Sequence, residues 1–209
     1  NFLITNECKF SNFDEIQNLS VNINKWIYSE LIDAKSKIEK NLDDYRFDEA
    51  AKNAYQFAWH SYCDWYLELS KTILFSDNEE AKTEVRKVSS YVFKQILILL
   101  HPFIPFVTEE IWSVLPGERT VLMKEEFPQR QSQWLSDSAE NQMGVLMGII
   151  SGIRNIRSEA DVHPSHRIEA FVANISDEQA ELVNKFSSAI SDMTRLNGLH
   201  VQPETDKPS

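Results

Sequence analysis

Between Arg46 and Leu69 the chain repeats apolar side chains at helical intervals for more than six turns. Phe47, Ala51, Ala54, Ala58, Tyr62, Trp65 and Leu69 follow one another at steps of 4, 3, 4, 4, 3 and 4. That spacing keeps residues on one face of an α-helix. Tyr55, Trp59, Cys63 and Tyr66 form a second apolar stripe beside the first. A helix apolar over so much of its circumference must lie between several neighbours. The stretch therefore predicts the central helix of a bundle, with Cys63 and the cluster Trp59, Tyr62, Trp65 and Tyr66 in its core.

The neighbours are legible on either side. A helix is expected from about Asn24 to Leu42, with Ile27, Leu31, Ala34, Ile38 and Leu42 on its inner face. After the central helix, Ser76 or Asp77 can cap a third helix, and Glu79 and Glu80 suit its first turn. Its stripe is Ala81, Val85, Val88, Val92, Ile96 and Leu99. It stops at His101-Pro102, because the residue before proline is pushed out of helical geometry. A fourth helix begins near Pro105, shows Val107, Ile111 and Leu115, and ends at Pro116-Gly117. Short connections between long helices imply antiparallel packing.

Past Gly117 the pattern changes. Thr120-Val121-Leu122-Met123 reads as a short strand, and 129–138 as a loop. A helix over about Ala139–Ala160 carries Met143, Leu146, Ile150 and Ile153. Arg167–Val172 alternates as a strand does. Ser176-Asp177 can cap a helix bearing Ala180, Val183, Phe186 and Ile190, and Leu199-His200-Val201 reads as a last strand. The expected fold is mainly α: an antiparallel α-helical bundle over 1–118, a small β-α-β-α-β subdomain over 119–203, and a tail over 204–209.

Composition narrows the function classes. With 209 residues, 42% hydrophobic and 11% aromatic, the chain is globular and long enough for a sizeable core. No apolar run approaches the ~20 residues that span a bilayer, so no membrane partner is expected. Asn1-Phe2-Leu3-Ile4 lacks the basic start of a signal peptide, and the absence of an initial Met suggests a fragment. Two cysteines, Cys8 and Cys63, make no disulfide framework, which points to a reducing, cytoplasmic setting. Net charge is −11, with −7 over residues 1–118 and −4 over 119–209. Nucleic-acid affinity rests on Lys and Arg meeting phosphates. A chain this acidic is not a generic coat for DNA or RNA, yet it can hold one nucleic acid through a local basic patch.

Three strings carry a family resemblance. They are Arg46–Glu68, Leu100-His101-Pro102-Phe103-Ile104-Pro105-Phe106-Val107-Thr108-Glu109-Glu110-Ile111-Trp112, and Arg154-Asn155-Ile156-Arg157-Ser158-Glu159. Together they resemble the C-terminal part of bacterial-type valyl-tRNA synthetases, members of the class I synthetases with an anticodon-binding domain. Asn24-Lys25-Trp26-Ile27 is similar to the Asp-Arg-Trp-Ile that opens that family's second bundle helix. The His-Pro-x-x-Pro-Phe piece is shared with the isoleucine and leucine enzymes, whereas Cys63-Asp64-Trp65-Tyr66 and Arg154–Arg157 favour valine.

The resemblance implies a helical anticodon-binding bundle and a small α/β subdomain within a larger ligase that joins valine to its tRNA using ATP and Mg²⁺. The family's His-x-Gly-His signature and Lys-Met-Ser-Lys-Ser loop are absent here, and Gly117, Gly144, Gly148, Gly152 and Gly198 make no phosphate-cradling loop. Against the family pattern, the sequence starts after most of the first bundle helix and stops before the coiled-coil arm. The expectation is a monomeric recognition piece that binds a valine-specific tRNA at the anticodon stem-loop. It performs no catalysis, holds no cofactor or metal of its own and binds no DNA.

An up-down bundle would gather Lys25, Trp26, Lys71, Lys82 and Arg86 at one end. Anticodon bases are unstacked and are read by aromatic or Arg stacking and by edge hydrogen bonds. Trp26 offers a stacking face or else is a core residue at the bundle edge. Lys25, Lys71, Lys82 and Arg86 suit phosphates, although Lys82 and Arg86, four apart, also suit a solvated face. Arg154 and Arg157 either touch tRNA backbone or pair with Glu159 or Asp161. The other bundle end, with Tyr45, Arg46, His101, Phe103 and Phe106, would face the catalytic domain of the parent chain.

His60 and Asp64 read as a surface pair, because no nucleophile accompanies them. His163 and His166 are weak metal ligands without a cysteine. Glu109-Glu110 and Glu125-Glu126 read as solvated acids. A helical protein-interaction module, its missing first helix exposing an apolar groove, is the competing function.

Overall fold

The computed structural model describes residues 2–9, 16, 18–115, 121–127 and 136–202. The chain divides into two compact units, 1–136 and 137–209. In the first, a short helix α1 (Phe2–Thr5) precedes α2 (Asn22–Asp43). A long helix follows in three segments: α3 (Phe47–Gln56), a π-helical segment (Phe57–Tyr66) and α4 (Leu67–Leu74). Then come α5 (Glu79–Leu100) and α6 (Pro105–Val114). Buried Ile27, Leu31, Ala34 and Ile38 of α2 and Val85, Val88, Val92, Ile96 and Leu99 of α5 supply the core, as their periodicity predicts. Asn78 caps α5, its side chain accepting from the Ala81 amide at 3.0 Å, in place of Ser76 or Asp77.

The central helix departs from its predicted register. Its inward stripe is Ala50, Ala54, Phe57, Tyr62, Tyr66, Leu69 and Ile73, with Ser70 and Leu74 buried beside it. The steps of the stripe are 4, 3, 5, 4, 3 and 4, and the step of five falls inside the π segment. A π turn closes i→i+5 hydrogen bonds, as between the Leu67 amide and the Tyr62 carbonyl. Three of the four residues of the expected second stripe face outward, and Tyr66 is buried. Tyr55 and Trp59 are 56% and 53% exposed and stack on each other with centroids 6.3 Å apart, and Cys63 is exposed. Of the four aromatics expected in the core, only Tyr62 and Tyr66 are buried.

Two other expectations in this unit change. In α6 the inner face is Thr108 and Trp112, followed by Leu115, while Val107 is exposed. The strand expected around 121–123 is instead a 3₁₀ turn, Leu122–Lys124. Glu109 is the physical reason. Its carboxylate accepts the Leu122 and Met123 amides at 2.9 and 3.0 Å, the donors a neighbouring strand would need. The Leu122 amide, with that of Met123, holds this carboxyl below the usual range. Leu122 then packs with Leu97, Ile98, Trp112 and Leu115. Glu125 pairs with Lys94 at 2.7 Å. Neither Glu109 nor Glu125 is the freely solvated acid expected.

The second unit follows its sequence closely. Helix α7 (Asp137–Glu159) buries Ala139, Met143, Leu146, Ile150, Ile153 and Arg157 at alternating steps of four and three. Strands β1 (Ile168–Val172) and β2 (Leu196–Val201) pair in parallel, with Ile168 opposite Leu196 and Val172 opposite Val201. The expected single helix between them breaks at Phe186 into α8 (Asp177–Lys185) and α9 (Ser187–Thr194). Ser176 and Gln179 close a reciprocal capping box at the start of α8. The fold is thus a helical bundle with a small α/β subdomain whose described sheet has two strands. The helix end at Pro116-Gly117, most of the loop expected over 129–138, most of the turn near Phe13–Leu19 and the tail from Pro203 lie outside the described residues.

Candidate nucleic-acid interface

One acid ties the starts of α2 and α5 together. Glu84, in the second turn of α5, accepts from the Ser20 amide at 2.9 Å, the Ser20 hydroxyl at 2.5 Å, the Val21 amide at 3.0 Å and the Asn24 side-chain amide at 2.9 Å. Val21 is the N-cap of α2 and supplies no capping side chain, so a distant carboxylate takes that task. Asn24, fully buried, passes the network inward. Its side-chain oxygen accepts from the Tyr66 hydroxyl at 2.8 Å. The Ser89 hydroxyl donates to Tyr66 at 3.3 Å, and Tyr62 donates to the Ser89 carbonyl at 2.8 Å.

Burial alone would raise the Glu84 carboxyl, but hydrogen bonds from the Ser20 and Asn24 side chains and from the Ser20 and Val21 amides outweigh it and hold it low. A carboxyl whose folded pKa is depressed adds stability that is complete above its unfolded value, about 4.3, and is lost as pH falls through the folded value. Glu84→Gln should therefore flatten the acid-side loss of stability. Urea midpoints between about pH 3 and 6 measure this, and an unchanged acid slope would assign the loss to other carboxylates.

The predicted site residues fall into three situations. Trp26 is only 5% exposed, so it belongs to the core and offers no free stacking face. Lys71 and Lys82 already hold acids, Glu68 and Glu79, each at 2.7 Å. Arg86 donates through Nε to the Asn6 carbonyl at 3.1 Å and so anchors the chain near α1. Lys25, on the first turn of α2, is half-buried; its amide donates to the Val21 carbonyl at 3.1 Å, and its ammonium has no hydrogen-bond or ion-pair partner among the described residues. Acids balance Lys71 and Lys82, yet partly exposed ion pairs such as Lys71–Glu68 are worth only about 0–1 kcal/mol, so a phosphate can displace Glu68 at little cost.

The helices do not end level. Asn24 meets Tyr66, but α4 runs on to Leu74. At 1.5 Å per residue, Phe75 stands about 13 Å beyond Tyr66 along the helix axis. Phe75 sits at the α4–α5 turn and is 83% exposed. Sequence reading passed it over because it lies one residue past the end of α4, outside the periodic stripe. Its signal was an aromatic directly before the turn residues Ser76-Asp77-Asn78.

At the other bundle end Phe106 is 88% exposed, Tyr45 and Arg46 are exposed, and His101 and Phe103 are half-buried. His101 Nδ1 lies 2.8 Å from the Thr108 hydroxyl and closes the turn into α6. In the second unit, Arg154 donates to the Met193 carbonyl at 3.2 Å. Arg157 donates to the His166 carbonyl at 2.8 Å and to the His163 and Arg195 carbonyls at 3.4 Å. Main-chain oxygens, and neither Glu159 nor Asp161, are the hydrogen-bond acceptors of Arg157. His60 and Asp64 form an exposed pair at 3.2 Å. His163 Nδ1 lies 2.7 Å from the Ser165 hydroxyl. Among the described residues no group of three His, Cys, Asp or Glu side chains is placed to hold a metal ion, and no helix is long and apolar enough to cross a membrane.

Residues 24–172 match the family described as the anticodon-binding domain of tRNA ligase. The whole chain is 53% identical to a valine–tRNA ligase of Pelagibacter ubique. Over 88% of its length it is 48% identical to that of Desulfotalea psychrophila, and over 90% it is 36% identical to that of Geobacter sulfurreducens. It spans about a quarter of the length of these relatives, 24%, 21% and 21% respectively.

Proposed function

Because the chain belongs to the anticodon-binding domain family of tRNA ligases, we propose that it holds the anticodon stem-loop of a valine tRNA. The observation that carries this reading is the family match over 24–172 together with similarity to valine–tRNA ligases along the entire chain. The longer cytoplasmic enzyme joins L-valine to that tRNA with ATP and Mg²⁺ on a separate catalytic domain. This part contributes recognition and positioning as a monomer, with no bond-making step.

In the proposed complex Phe75 takes the stacking role first expected of Trp26, at the tip of the α4–α5 hairpin. Its exposed ring suits a base lifted out of the anticodon loop. Lys25, Lys71, Lys82 and Arg86 lie on the α2, α4 and α5 turns behind that tip and meet the loop phosphates. The opposite end, with Arg46, His101, Phe103 and Phe106, faces the catalytic domain, and the bare Phe106 ring suits a protein surface.

Binding of the chain to a valine tRNA transcript at low salt, beside the same transcript with its anticodon replaced, tests the reading. The native anticodon should bind more tightly, and affinity should fall steeply with salt. Equal binding to both transcripts, or affinity indifferent to salt, would overturn it.

A further inference from the structure

The second unit is acidic, yet its cations are not spread over it. Between residues 137 and 202 there are nine Asp and Glu and five Lys and Arg. Arg154 and Arg157 close α7, Arg195 caps α9, and Arg167 borders β1 and donates to the Leu196 carbonyl. Only Lys185 stands outside this group. Arg154, Arg157 and Arg195 line one pocket of about 410 Å³ together with Ser158, Pro164 and Thr194, and Asp161 is its one acidic lining residue.

The fold holds these guanidinium groups in place. Arg157 is 8% exposed and is fixed by the three carbonyls of His163, His166 and Arg195. Arg195 takes a left-handed backbone, φ 57°, at the end of α9, and its side chain donates to the Pro164 carbonyl at 3.1 Å. Arg154 donates to the Met193 carbonyl in the last turn of the same helix. Carbonyls orient a guanidinium but carry no net charge. The residues lining the pocket include three arginines and one acid, Asp161.

We propose that this pocket binds a phosphodiester of the RNA backbone, giving the chain a second, sequence-blind contact apart from the anticodon end. The inference rests on the reading of the chain as a tRNA-binding domain, which supplies the polyanion. Arginine forks match phosphate oxygens in pairs. Arg154 and Arg195, both exposed, make the contact, and buried Arg157 is the positioning residue that sets the 163–166 loop beneath them.

The test compares the full chain with Arg154→Gln/Arg195→Gln, titrating the valine tRNA transcript and its anticodon-replaced form over a salt series. Both affinities should fall by one common factor of about three to ten, with the salt slope shallower by about one for each phosphate that is no longer neutralised. Arg154→Lys/Arg195→Lys should keep the slope, because it keeps the charge. Unchanged affinity and slope in the Gln pair would overturn the site. If the Gln pair does not fold, the Arg Nε–H NMR signals of the unmodified chain decide. Shifts at Arg154 and Arg195 on adding transcript support the proposal, and no shift at either on adding transcript overturns it. Anticodon preference without these effects removes the pocket and leaves the domain reading intact. These effects without anticodon preference do the reverse.

Discussion

Tyr66→Ala is expected to destabilise the helical unit by about 3–5 kcal/mol, the range for removing a large buried aromatic. The ring is fully buried and stacks on Tyr62 with centroids 5.7 Å apart. Its hydroxyl is also the donor to Asn24, whose side chain has no access to water. Tyr66→Phe separates the two contributions. It keeps the ring, leaves the Asn24 oxygen without that donor, and should cost about 1–3 kcal/mol. Urea unfolding followed by far-ultraviolet circular dichroism measures both. A Phe variant as stable as the parent would mean that the Asn24 oxygen finds another donor, and that the Glu84–Asn24–Tyr66 chain of hydrogen bonds is dispensable.

Phe75→Ala carries the largest expected effect on binding. Stacking of a base on an aromatic is worth about 1–3 kcal/mol by alanine substitution, or roughly a 5- to 150-fold loss of affinity for the valine tRNA transcript. Because the ring is 83% exposed, its removal should leave the melting curve in place. Phe75→Trp should retain affinity and add a fluorophore at the tip that is quenched when the transcript binds. Unaltered affinity in the Ala variant, with native-anticodon preference intact, would move base recognition away from the α4–α5 turn.

These two residues also mark what the sequence could and could not disclose. Helix identities followed from periodicity wherever one regular face is buried, as in α7, where each step from Ala139 to Arg157 is four or three. The central helix misled because its aromatics are dense enough to satisfy a period of 3.6 in more than one phase. Only the step of five from Phe57 to Tyr62 reveals the π turn, and alanines on both sides hide it. The strand expected near Leu122 failed for a different reason. Its partner is a side chain, Glu109, and no local pattern announces a carboxylate that caps amides thirteen residues away.

The candidate site was read from the sequence as a bundle end, and its particular side chains were harder to place. Lys25, Lys71, Lys82 and Arg86 were read from topology, and α5 packs against both α2 and α4. Whether an aromatic such as Trp26 points inward depends on contacts distant in sequence, and the structure gives it to the core. Arg157 looked like a surface cation one turn from Arg154. Its burial follows from the 163–166 loop, whose carbonyls need donors that a Pro- and His-containing turn does not itself supply.

The π segment also changes how the long helix counts. Between Ala54 and Leu69 it carries one residue more than an unbroken α-helix would use to join the same two inward faces. That supernumerary residue sets the phase between the two halves. Ala50 and Ala54 lie on α3, which packs against α2 and α5, while Leu69 and Ile73 lie on α4, which packs against α5. The residues between 57 and 66 thus serve as a spacer in angle more than in length. Within them the number of residues is a tighter constraint than their identity, because a change of one would turn everything from Leu67 to the Phe75 tip about the helix axis.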